Sequence, residues 1–321
     1  MSAAQRKVWG ETMVELARDD ERVLVLDADL ATSTQSVLVA DQVPDSFIQV
    51  GIAEQNMIGI ATGLASEGFR PWVSTFGVFL THRVLDQVRM LVSQTKLPVR
   101  IAAHYSGLLN GSSGKTHQDL LDLTIMRAMP NIAVLAPADA AEAADAIRWA
   151  DAHDGPVYVR LARDAVADVF ERDAAFDPRL PRLVDAGSGA HADVVVVSTG
   201  VQTSRTKEAL DLLRAEGVEL RHIHLPALKP LDDAALVAEI GGARLVITVE
   251  EHTVLGGLGG LVAETLATIG SGARLHRIGL ADAWSESAPN DFLLDKYGLS
   301  PERVAASVRE QVEAERAALA S

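Results

Sequence analysis

The sequence has no cysteine among its 321 residues. Disulfide bonds, thiolate nucleophiles and cysteine-ligated metals are therefore excluded from its chemistry. No apolar run approaches the roughly 18 residues that a membrane-spanning helix needs, and the N-terminal segment lacks the apolar core of a signal peptide. We therefore expect a cytoplasmic protein that does not enter the membrane.

Positive charge is also scarce, because 29 Lys and Arg residues face 44 Asp and Glu residues and the net charge is −15. Nucleic acids and anionic membranes are bound through basic surfaces. The balance of charge therefore predicts that neither is a partner of this protein.

Familiar phosphate-binding and hydrolase motifs are missing as well. The sequence has neither a G-x-x-x-x-G-K-[ST] loop nor a G-x-S-x-G elbow. The stretch EEHTVLGGLGGLVAET, residues 250–265, combines a strand, a glycine turn and a helix, but Val262 replaces the last glycine of a G-x-G-x-x-G fingerprint. We expect these glycines to allow close packing in a turn, and a nucleotide site is the alternative.

Short apolar runs alternate with helical patterns along the chain. VLVLDA at 23–28, VRIAAH at 99–104 and IAVLAP at 132–137 resemble the buried strands of a parallel sheet with helices on both faces. After a proline-containing segment of mixed charge the same alternation starts again. The pattern predicts an α/β protein with two doubly wound domains. We place a first domain at 1–170, a linker at 171–190 and a second domain at 191–321.

One charged residue interrupts an apolar helical stripe. In GIAEQNMIGIATGLA, residues 51–65, Glu54 shares its helix face with Ile58, Ala61 and Ala65. An unpaired buried carboxylate costs several kcal/mol, so a buried Glu54 needs a partner or a ligand. The alternative is a first-turn glutamate that complements the helix dipole with its carboxylate in water.

Aromatic residues are concentrated in the stretch PWVSTFGVFLTHRVLDQVRML, residues 71–91. A spacing of three residues predicts that Phe76, Phe79 and His82 share a helix face. Such a cluster either packs in the core or holds a flat heterocycle.

Two histidines flank a long loop rich in Gly and Ser, HYSGLLNGSSGKTHQD, residues 104–119. The loop follows a predicted strand, and parallel α/β sheets bind ligands at the carboxyl ends of their strands. His104 and His117 are therefore candidate site residues. A third metal ligand at a suitable spacing is missing, so we predict no metal site in this chain.

The order of these motifs resembles the C-terminal half of transketolases. LDADLATST, GIAEQNM, STFGVF, the loop ending in THQD, PNIAVLAPAD, VYVRLARD, and TVEEH followed by GGLGG occur in the family's order over nearly the whole chain. The resemblance is greater still to the separately encoded C-terminal subunit of a split transketolase. It implies a thiamine diphosphate enzyme, with a pyrimidine-binding domain followed by a transketolase C-terminal domain.

The resemblance assigns the residues that bind the cofactor. Glu54 corresponds to the catalytic glutamate at the aminopyrimidine ring, which promotes the imino tautomer whose nitrogen deprotonates the thiazolium ring. Phe76 and Phe79 match the residues that pack against the pyrimidine. Leu30, with Asp29 before it, matches the apolar wedge that bends the cofactor. The resemblance thus implies that Glu54 is buried and paired with a nitrogen of the cofactor.

Substrate-binding residues follow from the same matching. His117, the second catalytic residue, corresponds to the histidine that hydrogen-bonds the first-carbon hydroxyl of the donor and the covalent intermediate. Arg6, Ser33, His104 and Arg163 match the residues that bind the phosphate of a sugar phosphate, and guanidinium groups suit such a dianion.

Two positions depart from the family pattern. Ser113, with Ser112 beside it, stands where the family has an acidic residue that contacts a substrate hydroxyl. His82 stands where many transketolases have an aromatic residue. We expect the reaction to be the same and the preference among sugars to differ.

The family's GDG motif, which with a downstream Asn holds Mg²⁺ and the diphosphate, does not occur in the sequence. We therefore expect the Mg²⁺ ligands on a separate N-terminal-half subunit. We expect an α2β2 heterotetramer with each site at a subunit boundary.

The function implied by the resemblance is that of a transketolase β subunit, which transfers a two-carbon ketol unit from a ketose phosphate to an aldose. A deoxyxylulose-phosphate-synthase-like protein and a 2-oxo-acid dehydrogenase E1 β subunit are alternatives. The THQ loop and the phosphate-binding groups favour ketol transfer. A non-catalytic scaffold subunit is a further alternative, but it has no need of Glu54 and His117 together.

Overall fold

The computed structural model of the protein describes residues 3–188, 193–240 and 242–320. Its strands are β1 (Val23–Asp27), β2 (Phe47–Gln49), β3 (Arg70–Phe76), β4 (Arg100–His104), β5 (Ala133–Leu135), β6 (Val157–Leu161), β7 (Arg182–Asp185), β8 (Val194–Thr199), β9 (Arg221–Leu225), β10 (Ala227–Lys229), β11 (Leu245–Thr253) and β12 (Arg274–Leu280). Its helices are α1 (Gln5–Asp19), α2 (Ala31–Thr34), α3 (Val37–Gln42), α4 (Glu54–Ser66), α5 (Leu85–Gln87), α6 (Asp122–Ala128), α7 (Ala140–Ala152), α8 (Gln202–Ala215), α9 (Asp233–Ile240), α10 (Leu258–Thr268), α11 (Asn290–Lys296) and α12 (Pro301–Ala320). Two π-helical turns, Phe79–Arg83 and Val88–Ser93, flank α5.

The first sheet has seven strands in the order β10-β5-β6-β4-β3-β1-β2. Its strands are parallel except for β10, which pairs antiparallel with β5. Alternate residues of β1 belong to two different core clusters, one containing Met57 of α4 and the other containing Trp9 of α1. Both faces of the sheet are therefore covered by helices, as the continuous apolar strands predict.

The second sheet has five strands in the order β12-β11-β8-β9-β7. Three of its four pairings are parallel, and the fourth joins β7 to the edge of the sheet, antiparallel to β9. The α/β class expected from the sequence is confirmed for both sheets. The strand β7 lies inside the predicted linker at 171–190. The apolar residues of that segment have no regular spacing, so the sequence does not indicate a strand there.

Four of the parallel strands in the first sheet end beside the candidate site residues. β1 ends at Asp27, β3 at Phe76, β4 at His104 and β6 at Leu161. Because β1, β3, β4 and β6 are consecutive neighbours in the sheet, the segments that follow them meet at one edge.

The expectation that Phe76 and Phe79 share a helix face is wrong. Phe76 is the last residue of β3, and Phe79 is the first residue of a π-helical turn. The two rings nevertheless meet, because the strand ends directly before that turn. π-Helical turns are frequent at functional sites.

The helix α4 begins at Glu54, and Gly68 follows its end with a φ of +90°. Glycine adopts this left-handed conformation without steric cost, so it ends the helix where the sequence predicts. None of the helices in the described ranges is long and apolar enough to span a membrane.

Candidate active site

The buried carboxylate of Glu54 has a partner within the chain. Glu54 is 3% exposed, and Arg83 Nη1 donates a hydrogen bond to its Oε1 at 2.6 Å. Its apolar neighbours Ile58, Ala61 and Ala65 are also buried, as the stripe predicts. The first-turn alternative with the carboxylate in water is therefore excluded. Arg83 was not identified from the sequence, although it lies in the aromatic stretch 71–91.

Aromatic rings form a stack beside this carboxylate. The Phe76 ring lies 6.0 Å from Phe79 and 4.2 Å from Tyr105, measured between ring centroids, with interplanar angles of 19° and 23°. The His117 ring is edge-on to Phe79 at 5.6 Å. The Arg83 guanidinium carbon lies 4.2 Å from the Phe79 centroid. The structure thus brings Glu54, both phenylalanines and His117 to one place.

The turn that carries Asp29 and Leu30 is held by Asp27, a fully buried residue. Its carboxylate accepts hydrogen bonds from the Leu30 N–H at 2.7 Å and the Ser36 hydroxyl at 2.8 Å. Burial raises the pKa of Asp27, and these hydrogen bonds oppose the shift. Asp29 is exposed with a φ of +64°, and Leu30 is half-buried. Asp27 is a positioning residue that the sequence signals only as an acid at a strand end.

Three of the four predicted phosphate-binding residues surround Tyr105. Arg6 Nη1 donates to the Ser33 carbonyl oxygen at 2.9 Å and to the Tyr105 hydroxyl at 3.0 Å. The Arg163 guanidinium carbon lies 5.5 Å from the Tyr105 ring centroid. Arg6 and Arg163 are far apart in the chain, but the ends of β4 and β6 and the helix α1 bring them together.

His104, the fourth of these residues, lies in a different environment. Its ring is fully buried and edge-on to Trp9 at 4.7 Å between centroids. Neither ring nitrogen has a hydrogen-bond partner among the described residues. Burial, and secondly the positive charge of Arg6, lower the pKa of His104 to about 3, so the imidazole is neutral at pH 7. Its role in substrate binding stays a prediction.

The loop that carries Ser113 and His117 is shaped by the second domain. The Leu108 N–H donates to Glu251 Oε1 at 2.6 Å, and the Gly111 N–H donates to Asn290 Oδ1 at 2.9 Å. The exposed Ser113 donates to Asn110 Oδ1 at 2.9 Å. The conformation of this loop therefore depends on side chains more than a hundred residues away in sequence.

A titratable carboxylate lies directly after the THQ motif. Asp119 is fully buried and accepts a hydrogen bond from the Thr81 hydroxyl at 2.5 Å. Burial, followed by the negative charge of Asp122, raises the pKa of Asp119 to about 6. The exposed His82 has its Nε2 at 3.9 Å from Asp119 Oδ1. His82 therefore approaches Asp119 only at long range.

The glycine turn near 257 does not offer a free helix N-terminus to a phosphate. The N–H groups of Leu258 and Gly259 donate to the carboxylate of Glu250 at 2.7 and 2.8 Å. A Cβ at Gly257 would lie 2.1 Å from Glu250 Oε2, so a glycine is required there. This geometry favours the close-packing interpretation over the nucleotide site.

No group of three or more His, Asp or Glu side chains in the described part of the chain could hold a metal ion. His104 and His117, the pair considered from the sequence, differ in burial and in neighbours.

Two family models match the chain. The transketolase pyrimidine-binding domain matches residues 1–168, and the transketolase C-terminal domain matches residues 188–304. Among curated proteins, the "Putative transketolase C-terminal section" of Methanocaldococcus jannaschii is 36% identical over 312 residues, which are 97% of this chain and 96% of that protein. The 6-deoxy-6-sulfo-D-fructose transketolase subunit SqwH of a Clostridium species is 32% identical over 96% of this chain and 94% of that protein.

A solved structure is similar over the same length. It is described as a split gene transketolase, an inactive β4 tetramer, and it superposes with a TM-score of 0.86 at 36% sequence identity. The alignment covers 98% of this chain and 99% of that chain.

Proposed function

Since the chain belongs to the transketolase family and corresponds to its C-terminal half, we propose that it is the β subunit of a two-component transketolase. It transfers a two-carbon ketol unit from a ketose phosphate to an aldose, using thiamine diphosphate. The family resemblance and the fold, a pyrimidine-binding domain followed by a transketolase C-terminal domain, are confirmed by the comparisons.

The observation that carries the proposal is the cradle formed by Glu54 and Phe79. A planar N–H donor, the Arg83 guanidinium, already contacts both of them, at 2.6 Å from the carboxylate oxygen and 4.2 Å from the ring centroid. An aminopyrimidine likewise has a flat face, and its ring nitrogen hydrogen-bonds a carboxyl group by sharing one proton with it. The residues present therefore fit the pyrimidine half of the cofactor.

In this proposal, Glu54 holds a pyrimidine nitrogen and exchanges a proton with it, while Phe76 and Phe79 pack against the ring. Leu30 and Asp29 support the cofactor from the end of β1. The buried carboxylate of Asp27, the last residue of that strand, holds the turn that carries them. Thiamine diphosphate supplies the nucleophilic carbon that no side chain of this protein offers. Burial of Glu54 keeps water away from the proton transfer.

The substrate lies along the ring stack in the same proposal. His117 hydrogen-bonds the hydroxyls near the reacting carbon, and Ser113 contacts a hydroxyl further along the sugar. The groups around the far end of the sugar are Arg6, Ser33, His104 and Arg163. The two guanidiniums supply the positive charge, because the lowered pKa keeps His104 neutral.

A partner subunit completes the site. Large apolar side chains are exposed close to the cradle in the chain: Ile52, two residues before Glu54, is 75% exposed, and Leu85, two residues after Arg83, is 40% exposed. Exposed apolar side chains grouped around a functional site indicate a protein interface. We propose that an N-terminal-half subunit covers them, ligates Mg²⁺ and holds the diphosphate in an α2β2 assembly. The description of the solved split transketolase β4 tetramer as inactive is consistent with this requirement.

The test is thiamine-diphosphate-dependent ketol transfer by the chain assembled with its partner. We expect Glu54→Gln to lose most of the turnover while the subunit still folds and assembles. Glu67→Gln, at an exposed residue directly after the same helix, is the matched control and should keep full activity. Near-normal turnover by Glu54→Gln would sink the proposal.

The same assay separates the alternatives from the sequence. Turnover of pyruvate instead of xylulose 5-phosphate would identify a 2-oxo-acid or deoxyxylulose-phosphate activity. A chain that neither binds thiamine diphosphate nor confers activity on its partner would be a scaffold subunit.

A further inference from the structure

Tyr105 lies at the centre of the substrate end of the site, yet no family assignment includes it. It follows β4 directly, is 6% exposed and has a φ of +59°. A bulky aromatic residue rarely adopts this left-handed conformation, and such strained residues are concentrated at functional sites. In this conformation the Tyr105 ring stacks on Phe76, with 4.2 Å between the ring centroids.

The hydroxyl of Tyr105 has a free hydrogen. A guanidinium group can only donate, so the Tyr105 oxygen accepts the hydrogen bond from Arg6 Nη1 at 3.0 Å. No acceptor for the phenol hydrogen is found among the described residues. The bond from Arg6 both orients this hydrogen and makes the hydroxyl a stronger donor.

Two guanidinium groups from distant segments of the chain lie near the Tyr105 ring. The guanidinium carbons of Arg6 and Arg163 lie 5.6 and 5.5 Å from the Tyr105 ring centroid. Arg163 Nε is buried and has no hydrogen-bond partner in the described ranges. An unpaired buried donor of this kind is costly unless a ligand completes it.

We propose that Tyr105 is a substrate-binding residue whose hydroxyl, oriented by Arg6, donates to a terminal tetrahedral oxyanion of the sugar. A phosphate ester and a sulfonate share this chemistry. The inference rests on the proposed function, because it takes the oxyanion to be the far end of the ketol-transfer substrate. The stack on Phe76 sets the distance between this oxyanion and the cofactor cradle, so Tyr105 also selects substrates by length.

The inference is tested by titrating the full chain with ethyl phosphate and with ethanesulfonate in a calorimeter. Tyr105→Phe keeps the ring and removes only the hydroxyl, so we expect its dissociation constants for bound oxyanions to rise about tenfold or more. Tyr297→Phe, the same change in the second domain, should leave them unchanged. Binding of ethyl phosphate alone would identify a phosphate subsite, and binding of ethanesulfonate alone a sulfonate subsite.

Two results would overturn the inference. One is binding by Tyr105→Phe that is as tight as that of the wild type, and the other is a wild-type chain that binds neither compound. A second measurement covers the case of a misfolded variant. The chain has three tyrosines, so with fluorotyrosine labelling the resonance retained in both Tyr158→Phe and Tyr297→Phe belongs to Tyr105 and should shift on titration.

The assembled enzyme gives a further, distinguishable readout. With its partner present, Tyr105→Phe should raise KM for an aldose phosphate about tenfold more than it raises KM for a free aldose. Tight oxyanion binding without any ketol transfer would refute the proposed function and not the binding role. Ketol transfer with identical KM values in both proteins would refute the role of Tyr105 and not the proposed function.

Discussion

Replacing Arg83 with Met should destabilise the isolated chain, because it removes the partner of the buried Glu54 carboxylate. The charge centres of a hydrogen-bonded guanidinium–carboxylate pair are about 4 Å apart, which corresponds to about 4 kcal/mol at an effective dielectric constant of ~20. The Arg83 side chain is 43% exposed, so water screens part of this attraction, and ordering the side chain costs up to ~2 kcal/mol. We therefore expect a coupling of about 1–3 kcal/mol.

The coupling is measured with a double-mutant cycle. The free energy of unfolding by urea is determined for the wild type, Arg83→Met, Glu54→Gln and the double variant. The matched control is Arg89→Met in a cycle with Asp86→Asn, because these partners are 52% and 72% exposed. An exposed pair of this kind should couple by at most about 0.5 kcal/mol.

A coupling at Glu54 no larger than that of the exposed pair would refute the reasoning. It would mean that water solvates the carboxylate in the isolated chain despite its burial. A second comparison connects the pair to the cofactor: if an aminopyrimidine takes the place of the guanidinium, thiamine diphosphate and the partner subunit should reduce the coupling. An unchanged coupling in the loaded assembly would show that Arg83 stays on Glu54 throughout.

Two further predictions concern stability. Gly59→Ala should raise the free energy of unfolding by about 0.5–1 kcal/mol, because a Cβ on this helical residue meets nothing within 4 Å. Gly51→Ala should lower the free energy of unfolding, because residue 51 has a φ of +70°. The reverse order of the two variants in urea unfolding would contradict this prediction. His104 has a folded-state pKa of about 3, below its ordinary value of 6.5, so its contribution is fully present above pH 6.5 and is lost as the pH falls. Relative to His104→Gln, the wild type should lose about 1.4 kcal/mol per pH unit between pH 6 and pH 4, and a difference that is constant with pH would exclude this titration.

Local patterns in the sequence predict a large part of this fold. Continuous apolar runs identify the strands β1, β4 and β5, and the stripe containing Glu54 identifies the buried face of α4. These signals are reliable because each depends on residues a few positions apart. The motifs and their order along the chain also indicate the family, and the comparisons confirm it.

The remaining parts of the site depend on contacts between distant segments. Arg83 pairs with a residue 29 positions away, and Arg6 contacts Tyr105 across 99 positions. Contacts between residues so far apart in the sequence produce no periodic pattern in it. The prediction that Phe76 and Phe79 share a helix face fails for a related reason. A spacing of three residues looks helical in the sequence, but here the first residue ends a strand and the second begins a π-helical turn. The identity of a candidate residue was therefore easier to predict than its partner.

The strand β10 affects how this chain can be divided. Residues 227–229 follow β9, the third strand of the second sheet in chain order, yet they pair with β5 at the edge of the first sheet. The Lys229 ammonium also donates to the carbonyl oxygens of Arg127 and Met129. A break between the domains would expose the backbone of β5, and an exposed strand edge invites aggregation. We expect gene fission between the two domains not to be tolerated, so they should be inherited as one unit.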